Sequence, residues 1–277
     1  MQITIITPVY NGAKYIGQCI DNVISQKCSS VEHLIMDGSS TDGTQEIAQK
    51  YTEAYPHIRL VSEKDSGQSD AMNKGITKAK GSIISFLNVD DYYEPNLFNR
   101  VLAVFKKLDK PAFVCGNLNI RNADGTLKHF NRPDRISLVE LVSNCFEWPY
   151  NPSAYFYHKV LHEKIGYYNV ANHLCMDYEF ILEAAKFIGL THIDETWGNF
   201  VMVDGSKTKI FHSEDPKKAY YEAEAIRTRF KNGFSPDNTE RLSQVLLKQN
   251  QMHLPALKVS TSLLTKLRKI ILSLKHF

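Results

Sequence analysis

The sequence predicts an α/β fold with a mostly parallel central sheet that is covered by helices. Over the first 110 residues, short apolar runs typical of buried strands alternate with segments whose apolar residues recur at helical spacing. Such alternation favours a parallel sheet, because each crossover helix packs on a face of the sheet. Each of the first four strands also ends in polar residues, at the edge where open α/β sheets bind ligands.

The first half is predicted to contain four strands and four helices in alternation. The strands are residues 3–7, 31–36, 58–62 and 82–87, and Pro8 ends the first of them. Apolar residues at helical spacing mark the helices: Ile16, Cys19, Ile20, Val23 and Ile24; Ile47, Ala48, Tyr51 and Tyr55; Ala71, Met72, Gly75, Ile76 and Ala79; Leu97, Val101, Leu102, Phe105 and Leu108.

After about residue 110 the pattern changes to a mixture of strands and helices. Residues 112–121 and 126–130 flank Asn122-Ala123-Asp124-Gly125, which is a favourable hairpin turn. Residues 148–157 are rich in proline and aromatics, which indicates a loop followed by a strand. A helix is predicted to begin near Asp177 and to bury Phe180, Ile181, Ala184 and Phe187.

Composition and charge narrow the class of protein. The 277 residues are 43% hydrophobic and 23% charged, as in ordinary globular proteins. The net charge is −3 over residues 1–100, −1 over 101–200 and +7 over 201–277. Because the basic excess lies in the C-terminal part, no nucleic-acid partner is expected.

Cysteine usage and hydropathy indicate a cytoplasmic protein. The five cysteines are scattered and lack metal-site spacing, which is typical of free thiols in a reducing compartment. The N-terminus lacks the features of a signal peptide. No segment approaches the roughly 20 apolar residues that span a bilayer. We therefore expect a cytoplasmic location, with peripheral attachment to the cytoplasmic face of a membrane as a variant.

The fourth predicted strand ends in two adjacent carboxylates, Asp90 and Asp91. Two neighbouring negative charges repel each other, so a cation is their natural partner, and a bound metal could hold a diphosphate. The alternative is that both acids simply cap the helix that begins near Glu94-Pro95.

The other strand ends carry similar chemistry. Strand two leads into Asp37-Gly38-Ser39-Ser40-Thr41-Asp42-Gly43, and strand three into a segment with Asp65, Asp70 and Asn73. A carboxylate in such a turn can accept hydrogen bonds from a base or a ribose. Strand-to-helix capping and a solvated first helical turn are the alternatives for these residues.

Taken in order, these motifs resemble those of the family 2 glycosyltransferases. The matching segments are Thr7-Pro8-Val9-Tyr10-Asn11, Asp37-Gly38-Ser39-Ser40-Thr41-Asp42-Gly43, Asp65-Ser66-Gly67 with Ala71-Met72-Asn73, and Asn88-Val89-Asp90-Asp91. The resemblance covers about residues 1–230. It implies the GT-A fold, an inverting mechanism and a nucleotide-sugar donor. It further implies three parts: a nucleotide-sugar-binding half at 1–110, an acceptor and catalytic-base half of the same domain at 111–235, and a basic helical extension at 236–277.

The resemblance also assigns roles to residues. Donor nucleotide contacts are implied for Pro8, Tyr10, Asn11, Asp37, Ser39, Asp65, Asp70, Asn73, Asn88 and Asp90, with Asp37 accepting from the base. Asp90 and Asp91 are implied to hold Mn²⁺ or Mg²⁺, with Asp91 as the preferred direct ligand. Asn88 departs from the family pattern, in which an aspartate is often found. A divalent ion is expected because it neutralises the charge that develops on the leaving diphosphate.

An inverting transfer needs a general base, and the resemblance places it at Asp177. The family often has Glu-Asp where this chain has Met176-Asp177, and a helix N-cap is the alternative role. Glu179 is a secondary candidate for the base. The acceptor site is implied for Trp148, Tyr150, Asn151, Pro152, Ser153 and Glu179, and buried packing is an equally good account of the two aromatics. His212 as a metal ligand, and Lys207 or Lys209 as phosphate contacts, compete with ordinary solvent exposure.

The end of the chain is predicted to form a basic amphipathic helix. Residues 261–277 place leucines and isoleucines at helical spacing, with lysines largely on the other side. Residues 256–277 could therefore bind an anionic membrane surface, pack on the catalytic domain, or pair two chains as a homodimer.

The predicted activity is transfer of a sugar from a nucleotide diphosphate sugar to a sugar hydroxyl. The donor is expected to be a UDP-hexose or UDP-N-acetylhexosamine, and the acceptor a glycan or a lipid-linked sugar in surface-polysaccharide or glycan assembly. The alternatives are a non-catalytic nucleotide-sugar-binding module and a nucleotidyltransferase. The latter is disfavoured because Tyr10-Asn11-Gly12-Ala13-Lys14 is a poor phosphate loop.

Overall fold

The computed structural model describes residues 2–109, 111–172, 174–206 and 217–253. Its strands are β1 (Ile3–Val9), β2 (Val31–Asp37), β3 (Ile58–Ser62), β4 (Ile83–Phe86), β5 (Tyr92–Tyr93), β6 (Phe113–Asn122), β7 (Leu127–Asn131), β8 (Tyr155–His158) and β9 (Leu190–Met202). The helices are α1 (Ile16–Ser25), α2 (Thr44–Ala54), α3 (Gln68–Lys78), α4 (Leu97–Phe105), α5 (Leu138–Ser143), α6 (Leu161–Ile165), α7 (Met176–Phe187), α8 (Lys218–Asn232) and α9 (Pro236–His253).

All of these strands belong to one sheet, in the order β3-β2-β1-β4-β8-β6-β9-β5, with β7 paired to β6. The strands β3, β2, β1 and β4 are parallel, as predicted. Strand β8 is antiparallel to both β4 and β6, so it joins the first half of the chain to the second. The short strand β5 pairs with β9, which ties the segment after Asp91 to the far end of the sheet.

Two apolar layers cover the faces of the sheet, because successive strand residues point to opposite sides. On β1, Ile3 and Ile5 pack in the layer that contains α1 and α4 residues. Ile6, on the opposite side, packs in the layer that contains α3 and α7 residues. Helix α3 approaches β1 closely, since a Cβ on Gly75 would lie 2.5 Å from the Ile6 side chain.

Most predicted elements have their expected places, and the differences are local. Gly125 has φ of 84° in the hairpin turn between β6 and β7, as that turn requires. Helix α7 begins at Met176, as expected, but Phe187 at its end is 48% exposed rather than buried. This position faces solvent because the helix ends there and the chain turns into β9. The sequence analysis missed β5 and β9, which help to form the site below.

Several further expectations concern composition and the end of the chain. All five cysteines are free thiols. Among the residues described, no helix combines the length and hydropathy that a membrane span requires. Lys207, Lys209, His212 and the predicted amphipathic helix at 261–277 lie outside the described residues.

Candidate functional site

The carboxyl ends of the parallel strands open into a cavity of about 1270 Å³. Residues that follow β1, β2, β3 and β4 form one part of its wall, and residues from β6, β7, β9, α7 and the loop before β8 form another. It is lined by the following predicted site residues: Pro8, Tyr10, Asn11, Ser39, Asp65, Asn88, Asp90, Trp148, Pro152 and Asp177. The fold thus brings both halves of the chain to one site.

Asp90 and Asp91 are adjacent in sequence but have different surroundings. Asp90 lines the cavity, whereas Asp91 is 3% exposed and lies outside the cavity lining. The Oδ2 atom of Asp91 accepts hydrogen bonds from the amide nitrogens of Asn88 and Asn151, both at 2.8 Å. Its Oδ1 atom accepts from the backbone N–H of Val201 at 3.0 Å. The structure therefore places Asp90 in the cavity lining and Asp91 behind it, while the expected role of Asp91 as a metal ligand stays a prediction.

The pairing of β5 with β9 explains this difference. Asp91 immediately precedes β5, and Tyr92 is paired with Asn199 of β9. This pairing carries Val201 to the Asp91 carboxylate, while Asn151 reaches it from the loop before β8. Asp91 therefore links three distant segments behind the cavity wall.

The electrostatics of the acid pair favour a bound cation. Burial raises the pKa of Asp90. Burial, followed by the charge of Asp90, raises the pKa of Asp91 well above its usual range. None of the described basic side chains forms an ion pair with Asp90. A divalent ion beside Asp90 would relieve this repulsion, so the acid pair fits Mg²⁺ or Mn²⁺.

The donor set indicates how such an ion would be held. Within the described ranges, no cluster of three or more His, Cys, Asp or Glu residues could form a metal cage. An ion at Asp90 would therefore depend on ligand oxygens and water for most of its coordination. This is the usual mode of Mg²⁺ in sites that bind phosphate groups.

Asn88 acts as a bridge behind the acid pair. Its Oδ1 atom accepts a hydrogen bond from the Gln68 side chain at 3.1 Å, and its Nδ2 atom donates to Asp91. A carboxylate at position 88 could not donate to Asp91 and would add a third negative charge. The departure from the family pattern at this position therefore suits the surroundings of Asp91.

The loops after β1, β2 and β3 bring Tyr10, Gly38 and Asp65 together in the cavity lining, and these three residues form the slot. The Tyr10 ring is 66% exposed and lies beside Gly38. A Cβ on Gly38 would be 3.5 Å from the Tyr10 ring and 2.6 Å from Oδ2 of Asp65. Gly38 therefore lies between an aromatic surface and a carboxylate. A planar ring that stacks on Tyr10 could donate a hydrogen bond to Asp65.

Asp37 supports this slot from behind. Its side chain is buried and outside the cavity lining. The carboxylate accepts hydrogen bonds from the backbone N–H groups of Ser39 and Ser40 and, at 2.7 Å, from the Ser62 hydroxyl. These contacts hold the turn in which Ser39 has φ of 66°. The structure thus shows Asp37 stabilising the turn that carries Ser39, and the contact of Asp37 with the base stays a prediction.

Asp70 and Asn73 also make contacts within the protein rather than lining the cavity. Asp70 accepts from the backbone N–H of Ser66 and pairs with Lys74 at 3.1 Å. Asn73 bonds both the N–H and the C=O of Tyr168, at 3.0 and 2.8 Å. In the structure both residues link α3 to neighbouring segments, and their expected position near the base or ribose stays a prediction.

Two expected acceptor residues also lie away from the cavity lining. Glu179 pairs with Arg229 of α8 at 2.7 Å and accepts from Asn172. Ser153 is fully buried, and its hydroxyl packs where Gly198 lacks a side chain. Both residues support the fold around the site.

Asp177 lies in the first turn of α7 and lines the cavity. Its Oδ1 atom accepts a hydrogen bond from the Tyr155 hydroxyl at 3.0 Å. Burial, followed by the charge of Asp177, raises the pKa of Tyr155 well above its usual range. This hydroxyl therefore stays protonated and acts as a donor to Asp177.

The loop before β8 contributes two aromatic side chains, Trp148 and Tyr150, to the cavity lining. Trp148 packs edge-on against Tyr150, with ring centroids 5.1 Å apart, and also contacts Tyr178. Trp148 and Tyr150 both line the cavity. Both rings are half-buried, and aromatic faces that line a cavity suit the apolar faces of sugar rings.

Sequence reasoning missed several residues of the site. These are Gln68, which donates to Asn88 beside the acid pair, and Lys128, His129, Phe200 and Met202, which line the cavity. Gln68 is the first residue of α3, and its contact with Asn88 has no motif of its own. Lys128, His129, Phe200 and Met202 reach the cavity through the pairing of β7 and β9 with β6, which no short motif reveals.

The amino-acid sequence is similar to those of known glycosyltransferases. The sequence model described as glycosyl transferase family 2 matches residues 4–169. An uncharacterized glycosyltransferase of Rickettsia felis is 30% identical over 227 residues, which is 77% of this chain and 36% of that protein. The chondroitin synthase of Pasteurella multocida is 26% identical over 239 residues, covering 79% of this chain and 22% of the synthase. The chain thus matches 36% of the length of the first relative and 22% of the length of the second.

Solved structures show the same fold at low sequence identity. S. aureus TarS 1–349 in complex with UDP-GlcNAc has a TM-score of 0.68 and 17% identity, covering 95% of this chain and 77% of that one. The mannosyltransferase PcManGT from Pyrobaculum calidifontis, in complex with GDP-Man and Mn²⁺, has a TM-score of 0.53 and 18% identity, covering 89% and 79%. These similarities confirm the predicted GT-A fold.

Proposed function

The chain belongs to glycosyl transferase family 2, and from this membership we propose that it transfers a sugar from a nucleotide diphosphate sugar to a glycan hydroxyl, with inversion at the anomeric carbon. The observation that carries the proposal is that one cavity is lined by Asp90, Asp177 and the slot at Tyr10. These are the parts that hold a diphosphate, accept a proton and bind a base.

We propose UDP as the nucleotide. The slot offers the Tyr10 ring for stacking and the Asp65 carboxylate as an acceptor. The N3–H of uracil is a donor that suits such a carboxylate, whereas the N3 atom of cytosine is an acceptor and would be repelled. The TarS complex contains UDP-GlcNAc, which supports a UDP-hexose or UDP-N-acetylhexosamine as the donor of this chain. The PcManGT complex contains GDP-Man, so GDP-sugars are the competing class of donor.

Asp90 is the residue that we propose holds Mn²⁺ or Mg²⁺, with Asp91 keeping its place through Asn88, Asn151 and Val201. The ion, when bound, neutralises charge on the diphosphate leaving group. The Mn²⁺ in the PcManGT complex supports this choice of cofactor. His212 as an additional ligand stays a prediction.

Asp177 is proposed to take the proton from the acceptor hydroxyl as it attacks the anomeric carbon. The acceptor sugar would lie against Trp148 and Tyr150, on the same cavity wall. The relationship to a chondroitin synthase supports a glycan acceptor. A lipid-linked sugar is the alternative acceptor within the same proposal.

A panel of nucleotide sugars tests the proposed donor and metal. Thermal unfolding is measured with UDP-glucose, UDP-GlcNAc, GDP-mannose and CDP-glucose, each with Mn²⁺ and with EDTA. Because a ligand that binds the folded state raises its stability, we expect a UDP-sugar to raise the Tm with Mn²⁺ and to lose most of that effect in EDTA. An equal shift by all four donors, or a shift unaffected by EDTA, would contradict the proposal.

Asp177→Asn separates binding from transfer. The variant is expected to keep the donor-induced Tm shift and to lose both sugar transfer to the acceptor and the accompanying release of UDP, because the amide cannot take up the proton. Wild-type turnover by this variant would exclude Asp177 as the base. The Tm shift serves as the control for folding and donor binding.

The proposal includes a cytoplasmic location with peripheral membrane contact through residues 256–277. Liposome sedimentation of the full chain and of a chain that ends at residue 255 tests this contact. Equal lipid binding by the two chains would exclude the membrane role. Size-exclusion chromatography with light scattering of the same pair tests dimer formation.

A further inference from the structure

Tyr155 is the residue that connects Asp177 to the core of the sheet. It is the first residue of β8 and is fully buried. Its hydroxyl donates to Oδ1 of Asp177 at 3.0 Å. Asp177 is on α7, so this hydrogen bond joins the helix that carries the proposed base to the central sheet.

The Tyr155 ring cannot follow Asp177 if the helix moves. It stacks on Phe113 of β6 with ring centroids 5.1 Å apart. The backbone of Tyr155 is held by pairing with Cys115 of β6, and its carbonyl accepts from the Ser85 hydroxyl at 2.8 Å. The hydroxyl is therefore a donor at a fixed position.

We propose that Tyr155 is a positioning residue for the transfer reaction, because it fixes the rotation of the Asp177 carboxylate and so aims it at the acceptor hydroxyl. The inference rests on the proposed function of Asp177. A carboxylate that is held less firmly about its Cβ–Cγ bond spends more of its time in orientations that do not accept the proton. Small losses of alignment at a reacting group are costly to the chemical step and leave the binding of a separate part of the substrate unchanged.

Tyr157 provides a matched control two residues along the same strand. It is also fully buried and also stacks on Phe113, at 5.8 Å. Its hydroxyl, however, bonds Nε2 of His162 at 2.9 Å and lies 3.4 Å from the Tyr168 hydroxyl. The hydrogen bonds of Tyr157 are thus made within the core, to groups other than Asp177.

The experiment compares Tyr155→Phe, Tyr157→Phe and Asp177→Asn in the full chain, with Mn²⁺ and the nucleotide sugar that raises the Tm of the wild type most. For Tyr155→Phe we expect kcat to fall about 10- to 100-fold, which is the range for losing a hydrogen bond to a charged group. The donor KM should stay within about twofold of the wild-type value. For Tyr157→Phe both constants should stay within about twofold.

The outcomes separate this inference from the proposed function. Wild-type kcat in Tyr155→Phe, or an equal loss in Tyr157→Phe, overturns the positioning role. A Tyr155→Phe variant that loses donor affinity instead of kcat overturns it as well. Wild-type turnover in Asp177→Asn overturns the base assignment itself. An inactive Asp177→Asn together with a fully active Tyr155→Phe leaves the proposed function intact and rejects only this inference.

Discussion

The substitution Asn88→Asp restores the residue that the family often has at this position, and we expect it to destabilise this chain. In the structure, Nδ2 of Asn88 donates to Oδ2 of Asp91 at 2.8 Å. A carboxylate cannot make this hydrogen bond, and it would place a third negative charge beside Asp90 and Asp91. Asn88→Ala is the matched control, because it removes the same hydrogen bond without adding charge.

The magnitude follows from the charges involved. Losing a hydrogen bond to a charged group costs about 1.5–3 kcal/mol, and two like charges about 4 Å apart at an effective dielectric constant of about 20 cost about 4 kcal/mol. Protonation of the new carboxyl limits this cost, since a protonated carboxyl again donates to Asp91. In the unfolded chain the new carboxyl has a pKa of about 3.9. Keeping it protonated in the folded state therefore costs about 5 kcal/mol at pH 7.5 but only about 1.5 kcal/mol at pH 5. We therefore expect Asn88→Asp to lower the free energy of unfolding by about 4–5 kcal/mol at pH 7.5 and by about 1–2 kcal/mol at pH 5.

Urea unfolding in EDTA at the two pH values measures these free energies. Asn88→Ala is expected to lose about 1.5–3 kcal/mol at both pH values, because no new titratable group is present. A loss in Asn88→Asp that does not change with pH, or that equals the loss in Asn88→Ala at pH 7.5, would refute the reasoning.

Three further predictions concern the slot, the buried histidine and the sheet. Asp65→Asn should shift donor preference from UDP-sugars toward CDP-sugars by at least about tenfold in kcat/KM, because an amide donates to N3 of cytosine; unchanged preference in a competition assay would reject Asp65 as the base-reading residue. Burial lowers the pKa of His33 from 6.5 to about 3. As the pH falls below about 6.5, the unfolded chain binds a proton at this histidine while the folded chain does not. The free energy of unfolding therefore decreases as the pH falls from about 6.5 toward 3. When the pH is lowered from 7 to 5, the free energy of unfolding measured with urea should decrease by about 2 kcal/mol less in His33→Gln than in the wild type. An equal decrease in the two proteins would contradict the lowered pKa of His33. Gly198→Ala should lower stability by about 1–3 kcal/mol, since the new Cβ would lie 2.7 Å from the Ser153 carbonyl; an unchanged Tm would show that β9 can shift at no cost.

The first half of the fold could be predicted because its signals are local. Apolar runs mark β1 to β4, and helical spacing marks the helices between them, so the carboxyl edge of the sheet was located from the sequence. Strand β5 could not be predicted, because it has two residues and exists only through its pairing with β9. The burial of Phe187 was overestimated for a related reason: helical spacing locates a face but not the point at which the helix leaves the core.

The site was predicted at the level of segments better than at the level of single carboxylates. Asp90 and Asp91 carry the same chemistry, and what distinguishes them lies 60 and 110 residues away, at Asn151 and Val201. Asp37 is similar, since its bond to Ser62 depends on the pairing of β2 with β3. A sequence motif shows that an acid is present, but its long-range partners decide whether it faces the ligand or supports the wall.

The most direct test of the account is Mn²⁺ binding in the presence of UDP, followed by electron paramagnetic resonance, in the wild type, Asp90→Asn and Asp91→Asn. Asp90→Asn is expected to weaken Mn²⁺ binding at least about tenfold and to stabilise the metal-free protein, because it removes one of two repelling charges. Asp91→Asn is expected to lower stability, because its new amide group meets the donors of Asn88, Asn151 and Val201, and to retain Mn²⁺ binding in the folded fraction. Wild-type Mn²⁺ affinity in Asp90→Asn would contradict the central claim that this carboxylate holds the metal.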